Sequence, residues 1–124
     1  MEKKQQFKSI SAFIGAKNFE ESRKFYSDLG FIEVVLSDKM SLFKVDEKLS
    51  FYLQKAFVKD WVDNSMLFLE VENLEDYLRV LKSKNLSEKY KTVRISEIVV
   101  NDWGKEFFMH DPSGILWHIG RFIS

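Results

Sequence analysis

Hydrophobic and polar positions follow one pattern along the first half of the chain. A strand is predicted at 8–16, where small and apolar residues alternate, and a helix follows, with apolar residues at three- and four-residue spacing from Phe19 to Leu29. Asn18 has the chemistry of an N-cap, and Gly30 is placed to end the helix. Three short strands are expected next, at 31–36, 39–45 and 49–54.

The same order of elements returns in the second half. A strand is predicted at 66–71, and Asn73 is the expected N-cap of a second amphipathic helix. A strand-like segment at 92–101 is followed by a hairpin at 103–120. Residues 55–64 show no clean period and are interpreted as a connector.

The two halves form an internal repeat that can be checked by subtraction. Asn73 follows Asn18 by 73 − 18 = 55 residues, and the closing strands match at a longer offset of 118 − 52 = 66, which sets Tyr52 on His118. The offset of 55 also relates Phe19 to Leu74, Tyr26 to Leu81 and Gly30 to Asn85. The prediction is therefore an α+β fold of two βαβββ modules, at about 7–54 and 65–124, within one domain covering 1–124.

The last hairpin contains both histidines of the chain, His110 and His118. Residues 111–114 read Asp-Pro-Ser-Gly, which is turn chemistry. A regular hairpin around a four-residue turn pairs Phe107 with His118. Because strand residues alternate between faces, His118 is expected on the face of Phe107 and Met109, with His110 on the other.

One face of the predicted sheets is uniformly apolar and is assigned to the helices. The opposite face mixes large aromatic, methionine and polar side chains, a composition that suits a ligand cavity. A second packed core or a dimer interface explains it equally well. Its residues are Phe13, Tyr52, Gln54, Met66, Phe68, Glu70 and His118.

Composition narrows the classes of function. The chain has 124 residues, 19 basic and 19 acidic side chains, a formal net charge of zero and no cysteine. With equal numbers of basic and acidic residues, the sequence shows no excess positive charge of the kind that binds nucleic acid or an anionic membrane. No apolar run approaches the roughly 20 residues of a membrane span, and cysteine-free chains fit a reducing compartment. A cytoplasmic protein is expected.

Two motifs carry a resemblance to a known family. They are NFEESRKFYSDLGF at 18–31 and WGKEFFMHDPSGILWHIG at 103–120, each in its place within the repeated module. With them the chain resembles the vicinal oxygen chelate superfamily, which contains glyoxalases, bleomycin resistance proteins and extradiol dioxygenases. The resemblance implies a curved mixed sheet around a shared cavity, and a homodimer.

The resemblance also implies where a metal ion would bind. Members with metal chemistry take ligands from the first and last strand of each module, and here those positions are Ser11, Tyr52, Met66 and His118. Only His118 is a good ligand, whereas a divalent site needs about three or four donors. We therefore expect no metal and no other cofactor, and the sequence leaves open whether the protein is an enzyme.

Three functions remain. The favoured one is metal-free binding of an apolar or aromatic small molecule, with drug sequestration as the family precedent. The alternatives are a divalent-metal-dependent lyase, isomerase or dioxygenase, and a ligandless dimeric scaffold. The resemblance implies that Trp103, which precedes Gly104, lies at the cavity edge, so it joins the expected ligand-binding residues. These are His118, Tyr52, Met66, Phe68, Glu70, Trp103, Phe107, Met109, Phe13 and Gln54.

Overall fold

The first half of the chain forms a four-stranded mixed sheet covered by one helix. The computed structural model describes residues 5–123, so the two ends of the predicted domain lie outside the described residues. Strand β1 pairs in parallel with β4, and the order across the sheet is β1-β4-β3-β2. The elements are β1 (Phe13–Gly15), α1 (Phe19–Asp28), β2 (Ile32–Ser37), β3 (Met40–Lys44) and β4 (Ser50–Gln54).

The second half forms a five-stranded mixed sheet with the same plan. Strand β5 pairs in parallel with β9, the order is β5-β9-β8-β6, and β7 also pairs with β8. The elements are α2 (Lys59–Asn64), β5 (Met66–Glu70), α3 (Leu74–Ser83), α4 (Leu86–Lys89), β6 (Arg94–Ile95), β7 (Val99–Asn101), β8 (Gly104–His110) and β9 (Leu116–Phe122). The predicted α+β class with two βαβββ units is confirmed.

The structure adds detail that the pattern did not predict. The connector contains α2, and a one-turn helix, α4, precedes β6. The single strand expected at 92–101 is two short strands. Helices of four to six residues and strands of two or three are too short to produce a readable period. No helix within 5–123 has the length and apolar character needed to span a membrane.

Equivalent residues of the repeat have equivalent local structure. The Oδ1 atoms of Asn18 and Asn73 each accept a hydrogen bond from the backbone N–H three residues ahead, at 3.1 and 3.0 Å. Past each helix, Gly30 and Asn85 adopt positive φ values of 96° and 53°. This left-handed conformation satisfies carbonyl groups at the helix end, and asparagine tolerates it better than most side chains.

A buried polar network joins the two halves. The Tyr26 hydroxyl donates to Asp111 Oδ2 at 2.6 Å and accepts from Trp117 Nε1 at 3.0 Å. All three side chains are buried among aromatic rings. Helix α1 of the first half is thereby tied to the β8–β9 turn of the second. The rings packed against Tyr26 are Phe25, Phe31, Phe43, Phe51 and Trp117.

The predicted register of the last hairpin is wrong by one residue. His110 pairs with Leu116, so five residues, not four, form the connection. Asp111 Oδ1 accepts from the backbone N–H groups of both Ser113 and Ile115, at 2.9 Å each. These bonds draw Ile115 into the turn, where its side chain is fully buried. A regular four-residue turn would have left Ile115 in the strand.

The corrected register changes which residues share a face. Strand residue Phe107 lies opposite Ile119, and Met109 lies opposite Trp117. Phe107 and Met109 are buried on the helix-covered face. They therefore do not share the face of His118. A one-residue slip moves every side chain of a strand to the other face.

Candidate functional site

His118 lies between two phenylalanine rings on the face of the second sheet that is opposite the helices. We call this side of each sheet the outer face. Its neighbour on β8 is Phe108, whose ring meets the imidazole edge-on with centroids 5.1 Å apart. Its neighbour on β5 is Phe68, whose ring stacks at 6.3 Å with planes inclined by 18°. Because of the corrected register, His110 is on this outer face too.

The repeat places a similar pair on the first sheet. Phe13 lies opposite Tyr52 in the parallel pair β1–β4, and their rings stack at 4.5 Å. Adding the offsets gives 13 + 55 = 68 and 52 + 66 = 118, the residues of the Phe68–His118 pair. Both offsets therefore hold in the three-dimensional register.

A carboxylate fixes the orientation of the His118 ring. Glu106 Oε1 is 2.8 Å from His118 Nδ1, and Glu106 Oε2 accepts from Asn101 Nδ2 at 2.9 Å. Glu106 is buried, with 8% of its surface exposed. Since a carboxylate only accepts hydrogen bonds, an ionised Glu106 requires the proton of His118 to be on Nδ1.

The other ring nitrogen has no hydrogen-bond partner. Nε2 of His118 is buried and unpaired within the described part of the chain. Buried polar atoms are nearly always paired, and each exception calls for an explanation. A polar group of a bound ligand would supply such a partner.

Gly120 makes room for this arrangement. It lies opposite Glu106 on β8 and opposite Glu70 on β5. A Cβ at residue 120 would come within 2.8 Å of Phe68 Cζ and 2.9 Å of the Lys105 carbonyl oxygen. Without a side chain there, Glu106 can lean along the strand to His118, and Phe68 can lie flat over the sheet.

Three exposed aromatic side chains form a cluster that reaches His118 through Phe68. Centroid distances are 5.7 Å for Phe68–Trp103, 5.2 Å for Trp103–Phe122 and 5.4 Å for Phe68–Phe122. Their exposed fractions are 44%, 37% and 49% for Phe68, Trp103 and Phe122. We call these three residues the aromatic patch. Phe68 and Phe122 project from strands and Trp103 from the turn between β7 and β8, and all three are exposed near a partly buried imidazole.

The remaining predicted site residues lie apart from His118 or at the margin of the patch. Glu70 is exposed at the end of β5, and Met66 is exposed at its start. Tyr52 and Gln54 are half-buried on the first sheet, with Phe13 beside Tyr52. A groove of 440 Å³ between the sheets has Phe68 and Glu70 in its wall.

Sequence reasoning missed four residues that touch this site. With the correct register, Glu106 and Phe108 fall on the face of His118, so they could have been found by allowing a bulged turn after Asp111. Phe122 lies on the same face of β9, beyond Gly120. Asn101 is detectable only from the structure, because its contact depends on how β7 folds against β8.

The residues at which the sequence resemblance implies metal ligands do not fit a divalent ion. No group of three or more His, Cys, Asp or Glu side chains converges anywhere in 5–123. Tyr52 stacks on Phe13, and Met66 offers a thioether, a soft donor poorly suited to most divalent ions. The nitrogen of His118 that points toward Glu106 is already hydrogen-bonded. We derive no metal-dependent chemistry for this chain.

Comparison with known proteins gives matches at the level of structure. No family model and no curated protein matches the sequence. A bleomycin-binding protein complexed with bleomycin is similar with a TM-score of 0.78 and 18% identity, over 93% of this chain and 98% of that one.

Two further solved structures are similar to this chain over nearly its full length. The bleomycin-binding protein of Streptomyces verticillus, complexed with copper(II)-bleomycin, gives a TM-score of 0.77 at 13% identity, over 97% of this chain and 100% of that one. A glyoxylase/bleomycin resistance protein/dioxygenase domain from Frankia sp. EAN1pec gives 0.68 at 16% identity, over 98% and 100%. These matches span nearly the full length of the chain. This chain has the glyoxalase/bleomycin-resistance fold.

Proposed function

We propose that this protein binds an apolar or aromatic small molecule on the aromatic patch, without a bound metal ion. The observation that carries the proposal is a cluster of three exposed rings, one of which, Phe68, stacks on a histidine with one unpaired nitrogen. Ligand sites are mostly apolar surfaces with a few polar groups in fixed positions. Phe68, Trp103 and Phe122 supply the apolar surface, and Glu106 holds the polar group.

The proposal includes a homodimer. Large apolar side chains are exposed on the outer faces of both sheets, and contiguous exposed patches of this kind mark binding or association surfaces. A second copy would cover the open faces and give the patch a second wall. The residues exposed there are Phe13, Ile32, Val34, Met66 and Phe68.

The fold gives the proposal a precedent. Two of the similar structures are bleomycin-binding proteins bound to bleomycin or its copper complex. By analogy, sequestration of a toxic aromatic compound is the biological role that we propose. The absence of cysteine from the chain is in keeping with a place in the cytoplasm.

Fluorescence of N-phenyl-α-naphthylamine tests the proposal. This neutral probe becomes bright in apolar sites, and its binding should raise the melting temperature, since binding to the native state stabilises it. We expect saturable binding in the presence of EDTA, and a clear loss of affinity in Phe68→Ala.

The matched control is Trp61→Ala. Trp61 is a large aromatic residue on α2, 69% exposed and outside the patch, so its removal should leave binding unchanged. Binding that appears only after a divalent metal is added would favour the enzyme alternative. A dimer that binds neither the probe nor metal-free bleomycin would favour the ligandless scaffold.

A further inference from the structure

We infer that Glu106 is a positioning residue that holds His118 with its proton on Nδ1, so that Nε2 accepts a hydrogen bond from the ligand. The inference rests on the proposed binding function and adds a chemical class to it. The ligand is an aromatic molecule that carries an O–H or N–H donor next to its ring.

Two hydrogen bonds hold the Glu106 carboxylate in place beside His118. Glu106 Oε1 is 2.8 Å from Nδ1, and Asn101 holds the second carboxylate oxygen at 2.9 Å. Both Glu106 oxygens are therefore engaged, and no lysine or arginine within the described residues pairs with this carboxylate. A carboxylate fixed in this way selects the Nδ1–H tautomer, as it does for histidines that bind metals or substrates.

Nε2 of His118 is the ring nitrogen that remains without a partner among residues 5–123. In the Nδ1–H tautomer, Nε2 has a lone pair and no proton. An N–H at Nε2 would be a buried donor with no acceptor, which is rare in folded proteins. A lone pair at the same place is matched by a donor on the ligand.

Phe68 supplies access. It is the ring that stacks on His118, and nearly half of its surface is exposed. A small displacement of this half-exposed ring would open a path to Nε2 while Phe68, together with Trp103 and Phe122, still contacts the ligand ring. The hydrogen bond and the ring contact are then made by neighbouring groups of one site.

A pair of probes of similar shape tests the ligand class. In α-naphthol a hydroxyl replaces the methyl group of α-methylnaphthalene, and both can be measured by displacement of N-phenyl-α-naphthylamine. The methyl compound is the more apolar, so without a hydrogen bond it should bind more tightly. We expect α-naphthol to bind about fivefold more tightly, and this preference to be lost in His118→Phe. Equal binding, or tighter binding of the methyl compound, by the wild-type protein overturns the inference.

Nitrogen chemical shifts of isotope-labelled histidine test the positioning role without a ligand. At about pH 8 we expect a protonated Nδ1 and an unprotonated Nε2 for His118, and a mixture of tautomers in Glu106→Ala. His110, which makes no such carboxylate contact among residues 5–123, serves as the internal control. A proton on Nε2 of His118 in the wild type overturns the inference. If neither naphthalene probe binds but the expected tautomer is present, the proposed binding function and the inferred ligand class are wrong. The positioning role of Glu106 is then still supported.

Discussion

Glu106 and His118 are diagonal neighbours on β8 and β9, and their side chains meet at 2.8 Å between Oε1 and Nδ1. Diagonal neighbours on antiparallel strands lie farther apart than directly opposite residues, and a long side chain reaches across most easily when the residue opposite it is small. Here that residue is Gly120, which leaves the space free. The candidate site therefore depends on a small residue as much as on the two polar ones.

Removal of the carboxylate should destabilise the fold. In Glu106→Ala, His118 Nδ1 and Asn101 Nδ2 lose their acceptor, and a buried unpaired polar group costs about 1–3 kcal/mol. Urea unfolding should show a loss of this size. Glu70→Ala is the control: Glu70 lies on the same face but is exposed, and its removal should change stability by less than about 0.5 kcal/mol. Equal effects of the two substitutions would contradict the importance of the buried pair.

Asp111 should make stability fall as the pH rises. Burial raises the pKa of its carboxyl from 3.8 to about 6, although hydrogen bonds from Tyr26 and the turn backbone act in the opposite direction. The native state therefore retains a proton that the unfolded chain has released, and this contribution is present below the unfolded pKa and lost as the pH rises through about 6.

The size of the effect should be on the order of 3 kcal/mol, from about two pKa units. Asp111→Asn retains a side-chain oxygen that accepts from Ser113 and Ile115 but cannot ionise. The free energy of unfolding of this variant, measured between about pH 4 and pH 7, should lack the decline assigned to Asp111. The same decline in both proteins would show that another group causes it.

A methyl group at residue 120 should disrupt the patch. Gly120→Ala places Cβ within 2.8 Å of Phe68 Cζ and 2.9 Å of the Lys105 carbonyl oxygen. Overpacking of this kind costs about 1–3 kcal/mol, which thermal unfolding should detect. Arg121→Ala, at the adjacent exposed position, should have little effect on the melting temperature. A Gly120→Ala variant that melts like the wild type would show that the strands have more room than the structure indicates.

A charge on the outer face of the first sheet should prevent dimerisation. Phe13→Asp replaces a ring that is 54% exposed and stacked on Tyr52. If a second copy covers this face, sedimentation should show a dimer for the wild type and a monomer for the variant, because a buried unpaired charge is costly. The control is Val80→Asp on α3, which should remain dimeric. A monomeric wild-type protein would refute the dimer directly.

Much of the fold could be predicted because the same pattern of elements occurs in both halves of the chain, so that each half checks the prediction for the other. Asn18 and Asn73 cap their helices, and Gly30 and Asn85 both take the left-handed conformation that ends them. The site was harder to predict. Whether Ile115 belongs to the turn or to the strand depends on the hydrogen bonds of Asp111, a local choice that hydrophobic alternation does not reveal. That choice decides whether Phe107 or Glu106 shares the face of His118.

Binding of N-phenyl-α-naphthylamine to the EDTA-treated protein, titrated by fluorescence in the wild type and in Phe68→Ala, tests the central claim most directly. The account predicts saturable binding in the wild type that is strongly weakened in Phe68→Ala, with the control Trp61→Ala unchanged. Wild-type protein that binds no probe, or Phe68→Ala that binds as tightly as the wild type, would contradict it.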